Sequence, residues 1–185
     1  MKKKILLFGA SGLLGTNLIH FLKKKYLFYF VVNRKKIFFK KINYVTLETN
    51  KENFDKKKLE KQIKIINPDV IINCAANTNL DYCETNEQNT QFVNLTLPTQ
   101  ISIIAKKLSI QFVQISTDHL YKKNLNFKNE KVKTEPINVY AKQKNKAENF
   151  IKKYNKKSLI IRTNFFSHNI TKKDFINNII EDLNQ

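Results

Sequence analysis

Ile5-Leu6-Leu7-Phe8-Gly9-Ala10-Ser11-Gly12-Leu13-Leu14-Gly15 is the stretch whose reading decides the fold. Ile5 to Phe8 form a short apolar run of the kind that makes a strand buried on both faces. Glycines follow at 9, 12 and 15, and a helical spacing then begins with Leu14, Leu18, Ile19 and Leu22. A strand entering a helix through such a turn suits a dinucleotide. The first glycine permits the tight turn, the second lets the backbone approach a pyrophosphate, and the third lets helix and strand pack closely. The free N–H groups at the helix start attract the anion, which makes Gly9, Ser11, Gly12, Leu13, Leu14 and Gly15 candidate cofactor contacts. The whole chain holds only these three glycines, where average usage gives about 13. Glycine is thus kept where a steric need is expected and is absent from every other turn.

Working outward, Leu27–Val32 reads as a second strand ending at Asn33-Arg34-Lys35-Lys36. An NAD-binding unit usually places an acid here, on the adenosine ribose. None is present. The Arg34 guanidinium can instead grip a 2′-phosphate through two parallel bonds, so Asn33 and Arg34 join the candidates and NADP(H) is favoured, with NAD(H) left open. A solvated basic loop explains the same residues nearly as well.

Tyr44–Leu47 reads as a third strand, and 53–66 as a helix with Phe54, Leu59, Ile63 and Ile66 along one stripe. Asn67-Pro68-Asp69 ends it, and Val70–Ile72 forms a fourth strand running into Asn73-Cys74-Ala75-Ala76. Small residues there leave room for a ligand beyond the carboxyl edge of the sheet, which makes Asn73, Ala75 and Ala76 candidate cofactor contacts. A helix is expected over 90–107, with Pro98 as a kink or break, then a fifth strand over Gln111–Ile115 ending at Ser116-Thr117-Asp118. A polar irregular segment (119–136), a helix over Val139–Tyr154, a sixth strand over Leu159–Arg162 and a final amphipathic helix from Thr171 follow. Strand and helix alternate, so the expected fold is α/β, a doubly wound parallel sheet in one domain spanning 1–185.

Composition narrows the classes. A formal net charge of +19 raises nucleic acid as a partner. All but two of the 34 basic residues are lysines, however, scattered and not interleaved with aromatics, and Lys, Asn, Ile and Phe are the residues an A/T-rich genome favours. Nucleic acid is therefore disfavoured. Cys74 and Cys83 are too few for a disulfide framework or zinc site, no cluster has metal spacing, and no apolar run approaches a membrane span. A cytoplasmic protein with no metal and no membrane partner is expected.

Tyr140 and Lys144 lie four apart on one helix face. A lysine beside a phenol is expected to pull the tyrosine pKa down from about 10 toward the working pH. With lysine so abundant the spacing alone says little. Its weight comes from position, downstream of the Ser116-Thr117 hydroxyls at a strand's carboxyl end. Ser116 and Thr117 could equally stabilise a turn, Asp118 could cap one, and His119 adjoins the region without an assigned task.

Taken together these residues resemble the extended short-chain dehydrogenase/reductase family. The glycine turn, Asn73-Cys74-Ala75-Ala76 and the Tyr140/Lys144 pair with Thr117 carry the likeness over essentially the whole chain. Within that family it is most similar to the dTDP-4-dehydrorhamnose reductases and related sugar-nucleotide-binding proteins. Thr78-Asn79-Leu80-Asp81-Tyr82-Cys83-Glu84, Ile115 to Tyr121, Glu135 to Lys142 and Arg162-Thr163-Asn164-Phe165-Phe166 carry that closer match. The resemblance implies an NAD(P)-binding Rossmann domain that reduces a 4-keto-6-deoxy nucleotide sugar. It assigns Thr117, Tyr140 and Lys144 as catalytic, gives Tyr140 and Lys144 a share in holding the cofactor, and makes Thr78 and Asp118 substrate contacts. Ala141 stands where the family often has glycine, and the family's C-terminal substrate lobe is expected to be absent or truncated. A homodimer, or a partner chain supplying that lobe, is left open. The alternatives are a nucleotide-sugar epimerase or dehydratase of the same family, and a non-catalytic NADP(H)-binding subunit.

Overall fold

The apolar run near the amino terminus occupies the middle of the sheet. In this computed structural model, which describes residues 1–32, 43–46, 52, 54–121 and 129–164, strand β1 (Lys4–Phe8) lies between β2 (Leu27–Val32) and β4 (Val70–Asn73). Strands β3 (Asn43–Thr46), β5 (Gln111–Thr117) and β6 (Leu159–Thr163) complete a six-stranded sheet in the order β3-β2-β1-β4-β5-β6. Every pairing is parallel. This is the doubly wound arrangement the strand–helix alternation predicts, and the strand order reverses between β1 and β4, where ligands of such sheets bind.

Alternation along β1 divides the core. Ile5 and Leu7 face Ile19 of helix α1 (Leu13–Leu22), with Phe28 and Phe30 beside them. Leu6 and Phe8 point the other way, into a cluster with Leu59 and Ile63 of α2 (Lys56–Ile66), Ile101 and Ile104 of α5 (Leu97–Lys107), and Ile151 of α6 (Val139–Tyr154). Both layers are fully buried, which is why the strand reads as an unbroken apolar run.

Several boundaries differ from expectation for local reasons. Helix α2 begins three residues later than its apolar stripe suggests. Asp55 caps it, its carboxylate accepting from the N–H groups of Lys57 (2.8 Å) and Lys58 (3.1 Å). It ends where expected, with Asn67 in the left-handed conformation (φ 47°). The single helix expected over 90–107 is instead three pieces, α4 (Glu87–Gln91), a π turn (Phe92–Thr96) and α5, preceded by the short α3 (Leu80–Thr85). Pro98 has no N–H to return to the carbonyl one turn back, and the wider turn directly before it absorbs the mismatch. Strand β5 runs two residues past its expected end, so Ser116 and Thr117 are strand residues paired to Arg162 and Thr163. A 3₁₀ turn (Asp118–Leu120) opens the segment read as irregular. Of the expected third strand only Leu47 lies outside the described residues, as do Asn33, Arg34 and the final amphipathic helix. No described helix is long and apolar enough to cross a membrane.

Candidate active site

The glycine turn works by steric exclusion. Gly9 has φ +76°, and a Cβ there would stand 2.6 Å from the amide nitrogen of Ala75 at the end of β4. A Cβ on Gly15 would strike the Gly9 carbonyl and approach the Ala10 Cα to 2.8 Å. Strand, turn and helix are therefore closer together than any side chain permits. Gly12 differs. It is the N-cap of α1 at an ordinary φ of −81°, and a Cβ there would meet only the Gly9 carbonyl, at 3.4 Å. No side chain caps α1, so its first N–H groups are open to an anion in front of them. The turn fits a dinucleotide pyrophosphate.

In front of it lies a cleft of about 390 Å³. Gly9, Gly12, Leu13, Leu14 and Gly15 form one wall, Ala76 and Thr78 another, and Thr117, Tyr140 and Lys144 the floor opposite. These ten candidates, drawn from four separate stretches of sequence, meet in one place. Four others do not line it. Ser11 is exposed, Ala75 is half-buried and packs against the core cluster, and Asp118 leaves one buried carboxylate oxygen without a partner. Asn73 corrects the expectation of a cofactor contact. Its side chain is wholly buried, donating to Gln114 Oε1 at 2.9 Å and accepting from the Ala75 N–H at 3.1 Å. It shapes the end of β4 from behind the cleft.

Tyr140 and Lys144 enter from the first turns of α6, which Asn138 caps through the Ala141 N–H at 2.7 Å. The Glu84 carboxylate fixes the same helix start by accepting from the Val139 N–H, also at 2.7 Å. Lys144 is 3% exposed, and its ammonium donates to the Ile115 carbonyl at 2.7 Å. Burial pushes its pKa down to about 8, opposed by Glu148 and Cys74. Burial likewise pushes the Tyr140 phenol up to about 12, and a contact with the Thr117 hydroxyl only partly offsets this. The expectation that Lys144 draws the phenol down is thus corrected: desolvation dominates, and the ammonium is engaged with β5. The Thr117 hydroxyl accepts from the His119 N–H at 3.2 Å.

Sequence reasoning missed several cleft residues. Cys74, Thr163 and Asn164 also line the walls; His119, which the sequence set beside the region without a task, lines it too, its ring edge-on to Tyr140 with centroids 6.2 Å apart. Asn94, on the π turn, accepts from the Asn77 N–H (2.9 Å) and donates to the Asn77 carbonyl (3.1 Å) and to Gln143 Oε1 (3.0 Å). It thereby ties the loop after β4 to α6. Spacing alone gives no signal for it, because the π turn is what aims it inward. Among the described residues no group of His, Cys, Asp or Glu is placed to hold a metal ion.

Strand order, glycine turn and the paired Tyr140 and Lys144 define a protein of the short-chain dehydrogenase/reductase class. The RmlD substrate binding domain model matches residues 2–185, and the chain belongs to that family. It is 32% identical over 104 residues to the dTDP-4-dehydrorhamnose reductase of Escherichia coli K12, covering 56% of this chain and 35% of that one. Among solved structures, the dTDP-4-dehydrorhamnose reductase of Bacillus anthracis in complex with NADP superposes with a TM-score of 0.80 at 24% identity, over 98% of this chain and 60% of that one. The Bordetella bronchiseptica enzyme WbmG, in complex with NAD and UDP, does so at 0.82 and 16% identity, over 100% and 60%. At these identities the two superpositions report the shared fold. The matched stretch spans about a third of the curated relatives' length.

Proposed function

We propose that this chain is the cofactor-binding and proton-donating part of a reductase acting on a 4-keto-6-deoxy nucleotide sugar, with NADP(H) preferred. The observation that carries the reading is the convergence of Thr117, Tyr140 and Lys144 on a cleft walled by an uncapped helix start. The glycine turn and the α1 N–H groups hold the pyrophosphate, and Ala76 leaves room beside it. When bound, the reduced nicotinamide supplies a hydride to a carbonyl carbon.

The remaining work falls to side chains. Thr117 accepts from the His119 N–H, which leaves its own proton for the carbonyl oxygen or for the phenol. Tyr140, held near pKa 12, keeps its proton at neutral pH and delivers it to the oxygen that becomes the hydroxyl. Lys144 holds the cofactor ribose, and Thr78 and Asp118 contact the sugar nucleotide. The rest of the sugar-nucleotide grip comes from structure the relatives have beyond the matched length, in a longer protein or in a partner chain.

The experiment is NADPH oxidation, followed at 340 nm, with dTDP-4-dehydro-6-deoxy-L-mannose, beside NADPH binding by fluorescence. Turnover abolished in Tyr140→Phe with binding retained is the expected result, and undiminished turnover would overturn it. Binding without turnover on any keto-sugar nucleotide would favour a non-catalytic NADP(H)-binding subunit, and copurifying NAD would favour an epimerase or dehydratase.

A further inference from the structure

Tyr140, Lys144 and Glu148 stand four apart on α6, and all three are buried. The first two line the cleft. Glu148 lies behind them, 1% exposed. Arg162 of β6 grips it with Nε at 3.0 and 3.1 Å from its two oxygens and Nη2 at 2.7 Å, and Lys152 Nζ adds a contact at 3.0 Å. The remaining Arg162 nitrogen, Nη1, donates to the Tyr121 hydroxyl at 2.9 Å, and that hydroxyl donates to the Asn129 carbonyl at 3.0 Å. Tyr121 ends the short segment that begins at Thr117 and carries His119.

We infer that Glu148 is a positioning residue of this site: one turn along α6 from Lys144, its buried carboxylate favours the ammonium there and, gripped by Arg162, fixes through Tyr121 the segment carrying Thr117 and His119. The inference rests on the reading of Lys144 and Thr117 given under Proposed function. Stability alone does not account for the pair, since a buried ion pair is often no better than apolar residues of the same volume. Its setting gives it a task. Lys144 faces Cys74 just beyond β4 and Tyr140 and Glu148 on its own helix, and donates to β5. Glu148 faces Arg162 from β6, Ser116 from β5 and Lys152 on its own helix. Glu148 is thus the carboxylate acting on Lys144, and it favours the ammonium where burial opposes it.

The test follows the Lys144 side chain by ¹³Cε-lysine NMR across pH in the full chain, its signal assigned by loss in Lys144→Met. Glu148→Gln is expected to lower the midpoint from about 8 by about one pH unit, a tenfold loss of proton affinity. Glu148→Asp recovers part of the fall, and hydrogen exchange at the His119 amide, bonded to Thr117, quickens in Glu148→Gln. An unchanged midpoint in a folded Glu148→Gln protein overturns the inference. Should that variant not fold, Glu148→Gln with Arg162→Met leaves no orphaned charge, and the same fall is expected. A chain that folds in neither form makes the pair a determinant of folding and overturns the positioning role. NADPH binding by the parent chain separates the two readings: a shifted midpoint without NADPH binding is a failure of the cofactor reading alone.

Discussion

The ammonium of Lys144 donates to the main-chain carbonyl of Ile115 at 2.7 Å, and the same oxygen accepts from Gln114 Nε2 at 2.6 Å. Removing the lysine therefore leaves that carbonyl paired. Burial holds the Lys144 pKa near 8, below its ordinary 10.5, so between these values the unfolded chain binds more protons and stability rises with pH. The cost of the buried charge is fully present below about pH 8. Lys144→Met is expected to raise stability at pH 7 by on the order of 2 kcal/mol, with the advantage fading toward pH 10.5. Thermal melts of both proteins across this range check it, and an advantage constant in pH contradicts it.

Tyr140 carries the complementary prediction. Its phenol, pushed up to about 12, ionises above the ordinary value of about 10. The folded pKa of this acid is raised, so its contribution to stability is present below pH 10 and is lost as pH rises toward 12. In ultraviolet titration the difference between parent and Tyr140→Phe is expected to develop only above about pH 11. A difference with its midpoint at or below 10 would mean that Lys144 controls the phenol after all.

The glycine turn separates binding from folding within one motif. Gly12→Val introduces a Cβ whose nearest neighbour is the Gly9 carbonyl at 3.4 Å, at a φ any residue adopts. Stability is expected to change by less than about 1 kcal/mol, while the side chain fills the space before the α1 N–H groups. NADPH affinity is expected to fall about a hundredfold, or roughly 3 kcal/mol. Gly9→Val meets both φ +76° and the Ala75 amide nitrogen at 2.6 Å, and is expected to cost more than about 3 kcal/mol. Calorimetry and fluorescence titration of the two variants distinguish them, and equal NADPH affinity in parent and Gly12→Val would refute the anion site.

What the sequence disclosed follows from how local each determinant is. The strand β1, the glycines and the stop at Asn67 are set by residues adjacent in sequence, and they were legible. The convergence of Thr117 and Tyr140 was legible only because strand ends in a doubly wound sheet share one edge. The pKa directions were not, because they depend on burial, and the pattern Tyr140-x-x-x-Lys144 does not show that Lys144 donates to Ile115. Nor was Asn73, a polar residue at a strand end, distinguishable from a ligand contact until Gln114 was seen to take its amide. The π turn was hidden in an apparently continuous helical pattern.

That hidden turn supplies the last prediction. Asn94 is wholly buried and satisfies the Asn77 N–H, the Asn77 carbonyl and Gln143 Oε1 together. Gln143 in turn donates to the Glu87 carbonyl at 3.0 Å and Thr90 Oγ1 at 3.2 Å. Asn94→Leu leaves the Asn77 N–H and Gln143 Oε1 unpaired, each at about 1–3 kcal/mol, and frees the loop that carries Ala76 and Thr78. Asn94→Asp keeps an acceptor for the Asn77 N–H and loses only the donor side. Amide exchange at Asn77 is therefore expected to quicken in Asn94→Leu and much less in Asn94→Asp, while both variants melt earlier than the parent. Equal protection of Asn77 in the parent and Asn94→Leu would show that the loop is held by its own turns, and that the bridge from the π turn to α6 does not organise the cleft wall.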